Sequence, residues 1–227
     1  MAIDGKKILV LAPLHNTGAK KDATGAFQPE ALAFANRHEV PREQVIWIDN
    51  HLSKRAMRAA VLAEIEKAKK ENGSLAALAC FCHGWKTGIQ FGFDRSSVGW
   101  LAQALAGARD VRVALYACST AQGEGDDAAA VGGDGGFADL LRDTLCRAGA
   151  VDCQVDAHTT AGHTTKNPFV RRFQGMGSPL GGAGGFLIVS PSQKQLFAKW
   201  RRQLASTDLR YDFPFMTVAE IHSAIAG

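Results

Sequence analysis

The chain has 227 residues, of which 46% are hydrophobic, and its formal net charge is +4. This length and apolar content suffice for one hydrophobic core, so we expect a single domain over residues 1–227. The positive charge is mild and scattered, which argues against a nucleic-acid partner. No segment approaches the length of a membrane span, and the first apolar run is too short for a signal peptide, so we expect a soluble, cytoplasmic protein.

Apolar segments that resemble buried strands alternate with amphipathic segments that resemble helices. We predict strands at 7–12, 45–49, 75–84, 111–119, 151–157 and 186–190, with helices between them and two more at the end of the chain. Ser53 is the predicted N-cap of the helix that Gly73 ends, and Ser96 or Ser97 is the predicted N-cap of the next helix. Thr217 with Glu220 forms a predicted capping box. The pattern predicts a three-layer α/β/α sandwich of about six mostly parallel strands, with helices on both faces.

The connecting segments differ in composition. Residues 14–27 are polar and predict a long loop, and the glycine-rich stretch 84–97 predicts a short hairpin or an ordered loop. Residues 122–136 combine glycines with acids and are too polar to pack, so we expect a mobile loop there. We interpret residues 158–185 as a further loop, rich in threonine and glycine.

Two of the predicted strands end in residues that carry chemistry. The first, LAALACFCHG over 75–84, is apolar up to His83, and the second, VRVALYACS over 111–119, reaches Cys118 near its end. Because open α/β sheets bind ligands outside the carboxyl ends of their strands, we expect His83 and Cys118 to face one crevice.

A cysteine thiol beside an imidazole is a pair of groups that catalyses acyl transfer. The imidazole lowers the pKa of the thiol, so that the nucleophilic thiolate forms, and it later protonates the leaving group. Gly84 leaves room for a backbone N–H that donates to an oxyanion, and the Cys118 N–H is a second candidate donor. The alternative interpretation is a buried structural cysteine with a hydrogen-bonded histidine.

These dipeptides, His83-Gly84 after one strand and Ala117-Cys118 after the next, resemble those of the caspase-like cysteine peptidases. That superfamily includes caspases, metacaspases, gingipains, separases and CHAT-domain peptidases, and ACSTAQG over 117–123 is most similar to the CHAT pattern. The resemblance implies that His83 is the base, Cys118 the nucleophile and Gly84 an oxyanion donor. It also implies an acyl-enzyme mechanism and a protein or peptide substrate.

The resemblance extends to the substrate pocket. AHTTAGHTTKN over 157–167 is similar to the caspase strand and loop that shape the pocket for the residue before the cleaved bond, which makes Thr159 and Thr160 candidate pocket residues. Tyr116 is a further residue expected to contact substrate, and it stands where caspases have glutamine and metacaspases have aspartate, so this sequence departs from both patterns. Lys166 lies roughly where caspases bind acidic substrates with an arginine.

The residues at this pocket point to opposite preferences. We expect Asp156 to be an unpaired carboxylate at the crevice, which favours arginine or lysine before the cleaved bond. Lys166 favours aspartate instead, and the third interpretation is that Asp156 and Lys166 pair with each other or with solvent.

The cysteines and glycines suggest no cofactor. The five cysteines, an odd and unevenly spaced set, predict free thiols in a reducing compartment, and no second ligand pair is spaced to bind zinc with Cys80 and Cys82. His158 and His163 could bind a metal or line the pocket. GGDGG and GGAGG lack the lysine of a P-loop, so no nucleotide is expected. We therefore predict a cysteine endopeptidase without a metal or cofactor. The alternatives are an inactive caspase-like binding scaffold and a thiol-dependent amidase or acyltransferase.

Overall fold

A computed structural model of the protein describes residues 3–16, 25–123, 136–177 and 184–227. The central strands are β1 (Ile8–Pro13), β2 (Val45–Ile48), β3 (Ala77–Phe81), β7 (Arg112–Tyr116), β8 (Gln154–His158), β9 (Val170–Gln174) and β10 (Phe186–Leu187). Three short strands form a second sheet: β4 (Gly84–Trp85), β5 (Gly88–Ile89) and β6 (Phe93–Asp94). The helices are α1 (Phe27–Arg37), α2 (Lys54–Asn72), α3 (Val98–Leu105), α4 (Gly136–Arg147), α5 (Lys194–Ser206), α6 (Leu209–Asp212) and α7 (Val218–Ala226).

The seven-stranded sheet found in the described ranges has the order β10-β9-β8-β7-β3-β1-β2. The five strands from β2 to β8 are parallel, whereas β9 runs antiparallel to both β8 and β10. Parallel strands need helical crossovers, which cover both faces of the sheet. The predicted three-layer α/β/α sandwich is therefore confirmed, with one more strand in the sheet than the six expected.

The two faces of the sheet carry separate cores because successive strand residues point in opposite directions. Leu9 and Leu11 of β1 pack with α2, α3 and α4, while Ile8 and Val10 pack with α1, α5 and α7. We call these the α2 face and the α1 face. Cys80 and Cys82 both lie on the α2 face.

The predicted helix signals have mixed outcomes. The Ser53 hydroxyl accepts from the Ala56 N–H at 3.2 Å, and the capping box of Thr217 and Glu220 is present. Ser97 precedes α3, but its hydroxyl donates to the Asp94 carboxylate and makes no cap. The segment 84–97 forms the small antiparallel sheet, in agreement with the predicted hairpin.

The remaining predictions concern two loops and membrane-spanning segments. Most of the loop expected at 122–136 lies outside the described residues. None of the helices in the described ranges combines the length and apolar character that crossing a membrane requires. The segment 158–185, expected to be a loop throughout, contains β9.

Strand β9 is attached to β8 by a buried ion pair. Arg172 is opposite Asp156 in the register, and its Nε and Nη2 atoms donate to the two carboxylate oxygens at 2.8 and 2.9 Å. Nη2 also donates to the Phe213 carbonyl, and Nη1 donates to the Met216 carbonyl. A bidentate pair of this kind fixes the register of the two strands and holds the segment before α7 against them.

We predict that this pair matters far more to stability than an exposed one. Asp156→Asn leaves the buried Arg172 charge unbalanced and should lower the free energy of unfolding by about 3–5 kcal/mol. The matched control is Asp152→Asn, which breaks the exposed pair with Arg109 and should cost less than about 1 kcal/mol. Urea denaturation measures both, and equal losses would contradict the prediction.

Candidate active site

His83 and Cys118 lie at the carboxyl ends of neighbouring parallel strands. The last pair in the β3–β7 register is Phe81 opposite Tyr116, and their rings stack with centroids 4.5 Å apart. Two residues further along each strand stand His83 and Cys118. Because paired strands are about 4.8 Å apart, the register predicts that the two residues are neighbours where they leave the strands.

Both residues continue the α1 face of the sheet. Phe81 and Tyr116 belong to the core on that face, and a step of two residues along a strand returns to the same side. The His83 ring meets the Phe27 ring of α1 edge to face, with centroids 5.0 Å apart. The contact with Phe27 places the imidazole on the α1 face of the sheet. The alternation of strand residues predicts the Cys118 side chain on the same face.

The main chain of His83 is held by Gln90. The Gln90 side-chain oxygen accepts from the His83 N–H at 3.2 Å, and the Gln90 N–H donates to the His83 carbonyl at 2.9 Å. In an antiparallel ladder the next pair, Gly84 and Ile89, is then of the type without a mutual hydrogen bond. The Gly84 N–H therefore points away from β5.

Gly84 packs directly on the turn that carries Cys118. A Cβ atom at this position would lie 2.7 Å from each of three atoms: the Ala117 Cβ, the Cys118 carbonyl oxygen and the Thr120 Cγ2. Contacts this short exclude every residue with a side chain unless the backbone moves. Glycine is what allows the histidine segment and the cysteine turn to touch.

The chain turns sharply directly after Cys118. Ser119 has a positive φ of 56°, a left-handed conformation that is rare outside glycine. Its N–H donates to the Thr160 carbonyl at 3.2 Å, and the Ala121 N–H donates to the His158 carbonyl at 2.9 Å. These bonds tie the cysteine turn to the end of β8, which compensates for a conformation that costs energy locally.

Cys118 differs from the other cysteines in its exposure. All five cysteines of the sequence are free thiols in the described part of the chain, and four of them are buried. Burial raises the pKa of Cys80 to about 12 and also raises the pKa of Cys82 and Cys153. The Cys118 thiol is half-buried and lies 3.5 Å from the Gly162 carbonyl, at an exposed loop.

The expected pocket residues divide into accessible and buried ones. Thr160 and Lys166 are half-buried in the loop that follows β8. Thr159 is only 2% exposed, and Tyr116 is only 1% exposed. The Tyr116 hydroxyl donates to the Arg210 carbonyl at 2.9 Å. The expectation that Tyr116 contacts substrate is therefore not met in this structure, where the ring is enclosed in the core, and the buried Thr159 is likewise out of reach of a substrate.

The expectation that Asp156 is an unpaired carboxylate at the crevice is also wrong. It lies in the middle of β8, is 2% exposed, and is paired with Arg172 rather than with Lys166. Burial raises the pKa of Asp156, and the donors Arg172 and Gln154 oppose that shift. The reason for expecting arginine or lysine before the cleaved bond is thereby removed.

The two histidines near the site lie in different surroundings. His158 is buried, and its Nε2 donates to the Thr164 carbonyl at 2.9 Å. Burial lowers its pKa to about 4, so the ring is neutral near pH 7. The Nε2 atom of His163, which is half-buried, lies 4.0 Å from the Oε1 atom of Glu30. Within the described ranges, one group of side chains is close enough to hold a metal ion, and it comprises His15, Asp49 and His51.

Comparison with known proteins adds no identification. The chain has no significant match among models of protein families, curated proteins or solved structures. The resemblance to caspase-like peptidases therefore stays a prediction from the short motifs around His83 and Cys118.

The difference in exposure predicts selective alkylation. At neutral pH iodoacetamide should modify Cys118 of the folded protein, because the other thiols are buried and burial holds the pKa of three of them high. Intact-mass and peptide analysis before and after urea denaturation would measure this. A Cys118→Ser variant is the control and should take up label only when unfolded. Rapid labelling of Cys82 or Cys153 in that folded variant would contradict the prediction.

The buried His158 predicts a loss of stability in acid. Its pKa falls from 6.5 to about 4 on folding, so between these values the unfolded state binds a proton that the folded state excludes. This contribution is fully present above pH 6.5 and is lost as the pH falls towards 4, by up to about 3 kcal/mol. Urea unfolding from pH 7 to 4 should show a flatter dependence for His158→Gln.

His38 also contributes to the pH dependence of stability that remains in His158→Gln. Burial also lowers the pKa of His38, so His158→Gln should keep a slope of the same sign. An unchanged slope in His158→Gln would show that His158 does not titrate in this range.

Proposed function

We propose that the protein is a cysteine endopeptidase in which Cys118 is the nucleophile and His83 is the general base. The observation that carries the proposal is the β3–β7 register, in which Phe81 pairs with Tyr116 two residues before His83 and Cys118. The exposure of Cys118 supports it, because a nucleophile has to reach a substrate. Peptide bonds as the substrate follow from the resemblance to caspase-like peptidases.

In the first step His83 takes the proton of the Cys118 thiol, and the thiolate attacks the carbonyl carbon of the peptide bond. Sulfur and carbon form a bond while the carbonyl π electrons move to oxygen. Neighbouring strand ends suit this step, since proton transfer needs the two groups within hydrogen-bond reach. Gln90 keeps the His83 main chain in place, and the Phe27 ring contacts the imidazole.

The negative oxygen then needs hydrogen-bond donors. The backbone N–H groups of Gly84 and Cys118 are the candidates, and the Gly84 N–H points away from β5. Donors fixed in the main chain stabilise such an oxygen without having to reorient during the reaction. The close packing of Gly84 on the cysteine turn brings the two backbone segments together.

The acyl-enzyme forms when the carbon–nitrogen bond breaks and the His83 imidazolium gives its proton to the leaving amine. Water replaces the amine, His83 removes a proton from it, and the hydroxide attacks the thioester. Breaking the carbon–sulfur bond releases the carboxylic acid product and restores the thiol. Each proton taken by His83 is thus returned within one cycle.

A panel of fluorogenic peptide amides that differ in the residue before the cleaved bond would test the proposal. We expect Cys118→Ala to abolish turnover and His83→Ala to lower kcat/KM by about a hundredfold or more. The matched control is Cys146→Ala, which removes a buried thiol from α4 and should keep the wild-type rate. Circular dichroism would verify that each variant is folded.

The same panel separates the proposal from its alternatives. Cleavage of peptides that survives in Cys118→Ala would contradict the assignment of the nucleophile. Failure to cleave any peptide, combined with Cys118-dependent hydrolysis of small amides or transfer of their acyl group to hydroxylamine, would favour an amidase or acyltransferase. Absence of both activities would favour a binding scaffold.

A further inference from the structure

Three potential metal ligands meet at the ends of β1 and β2, apart from His83 and Cys118. His15 follows β1 by two residues, and Asp49 and His51 follow β2 by one and three residues. Because the two strands are parallel neighbours whose last pair is Pro13 and Ile48, their following segments leave the sheet at the same edge. The same topology brings together the ends of β3 and β7.

The main chain of the first of these residues is held by the side chain of Asn50. The His15 N–H donates to the Asn50 side-chain oxygen at 2.9 Å, and the Asn50 side-chain nitrogen donates to the His15 carbonyl at 3.0 Å. The Leu14 N–H donates to the Ile48 carbonyl at 2.8 Å, which continues the pairing of the strands. The segments that carry the three side chains are therefore joined by Asn50 and by one backbone hydrogen bond, independently of the three candidate ligands.

The side chains converge on one point. Nε2 of His15 lies 3.3 Å from Oδ1 of Asp49, and the rings of His15 and His51 stack with centroids 4.1 Å apart and planes 7° from parallel. One ligand atom from each residue lies within 4.8 Å of the others. Bonds to zinc of about 2.1 Å place tetrahedral ligands about 3.4 Å apart, so side-chain movements of about 1 Å would complete the coordination.

We propose that His15, Asp49 and His51 bind a divalent transition-metal ion of the zinc class. Two imidazole nitrogens with one carboxylate suit zinc, cobalt, nickel or ferrous iron, whereas calcium and magnesium prefer oxygen ligands throughout. All three side chains are partly or fully exposed, so an ion can enter from solvent and water can complete its coordination. Asp49 also supplies the negative charge that favours a cation.

The position of this metal site relates it to the rest of the carboxyl edge. Gln28 donates from its side-chain nitrogen to the carbonyls of Pro13 and Leu14, at 3.1 and 2.8 Å. It is adjacent to Phe27, the residue whose ring meets His83. The segment that carries His15 is thus fastened to the start of α1, although His15 and His83 belong to different groups of side chains.

Titration of the full chain with Co²⁺ would test the proposal, because cobalt reports its ligands through its absorption spectrum. We expect one Co²⁺ per chain, visible d–d bands, and no thiolate charge-transfer band in the near ultraviolet. Zn²⁺ should displace the cobalt, and an excess of Mg²⁺ or Ca²⁺ should not. The absence of the thiolate band separates this site from binding at Cys118.

Variants identify the ligands. His15→Ala, His51→Ala and Asp49→Asn should each weaken Co²⁺ binding by about a hundredfold or more. His222→Ala, which removes a histidine on α7, is the matched control and should bind as the wild type does. Circular dichroism would show that the exposed substitutions leave the fold intact. Wild-type affinity in the ligand variants, a thiolate band, or no binding at all would overturn the proposal.

Discussion

The parallel register between β3 and β7 is the constraint on which the carboxyl edge of the molecule depends. It pairs Phe81 with Tyr116, whose rings stack. The same register predicts that His83 and Cys118, two residues later, are neighbours. A slip of one residue would send either His83 or Cys118 to the opposite face of the sheet. The pairing of Phe81 with Tyr116 therefore sets the faces from which His83 and Cys118 project.

The α1 face combines this edge with most of the buried polar groups described above. Asp156 and Arg172 neutralise each other there, and the neutral His158 lies where β8 ends. The opposite face holds a nearly continuous apolar core under α2, α3 and α4. Asp156 and Arg172 are tolerated on the α1 face because each charge is matched by the other, whereas the neutral His158 keeps one ring nitrogen, Nδ1, without a hydrogen-bond partner among the described residues.

Local patterns in the sequence were sufficient for most of the fold, whereas the roles of His83 and Cys118 stay a prediction. Apolar runs predicted the parallel strands and the histidine and cysteine that follow two of them. Ser53, as an N-cap residue, predicted the start of its helix. Strand β9 was missed because its two arginines resemble a solvated segment, and only the partner Asp156, distant in sequence, makes their burial possible. His15 and His51 were missed although they follow strands as His83 does, because nothing local indicates that β1 and β2 are neighbours.

The packing of Gly84 has a genetic consequence. Any nucleotide change that replaces glycine by another amino acid adds at least a Cβ atom, and here that atom meets three neighbours at 2.7 Å. Trp85, the next residue, is 44% exposed and has room for many side chains. Two adjacent codons should therefore differ sharply in the variation they accept. Natural or laboratory drift of this gene would therefore leave Gly84 unchanged while the Trp85 position diversifies.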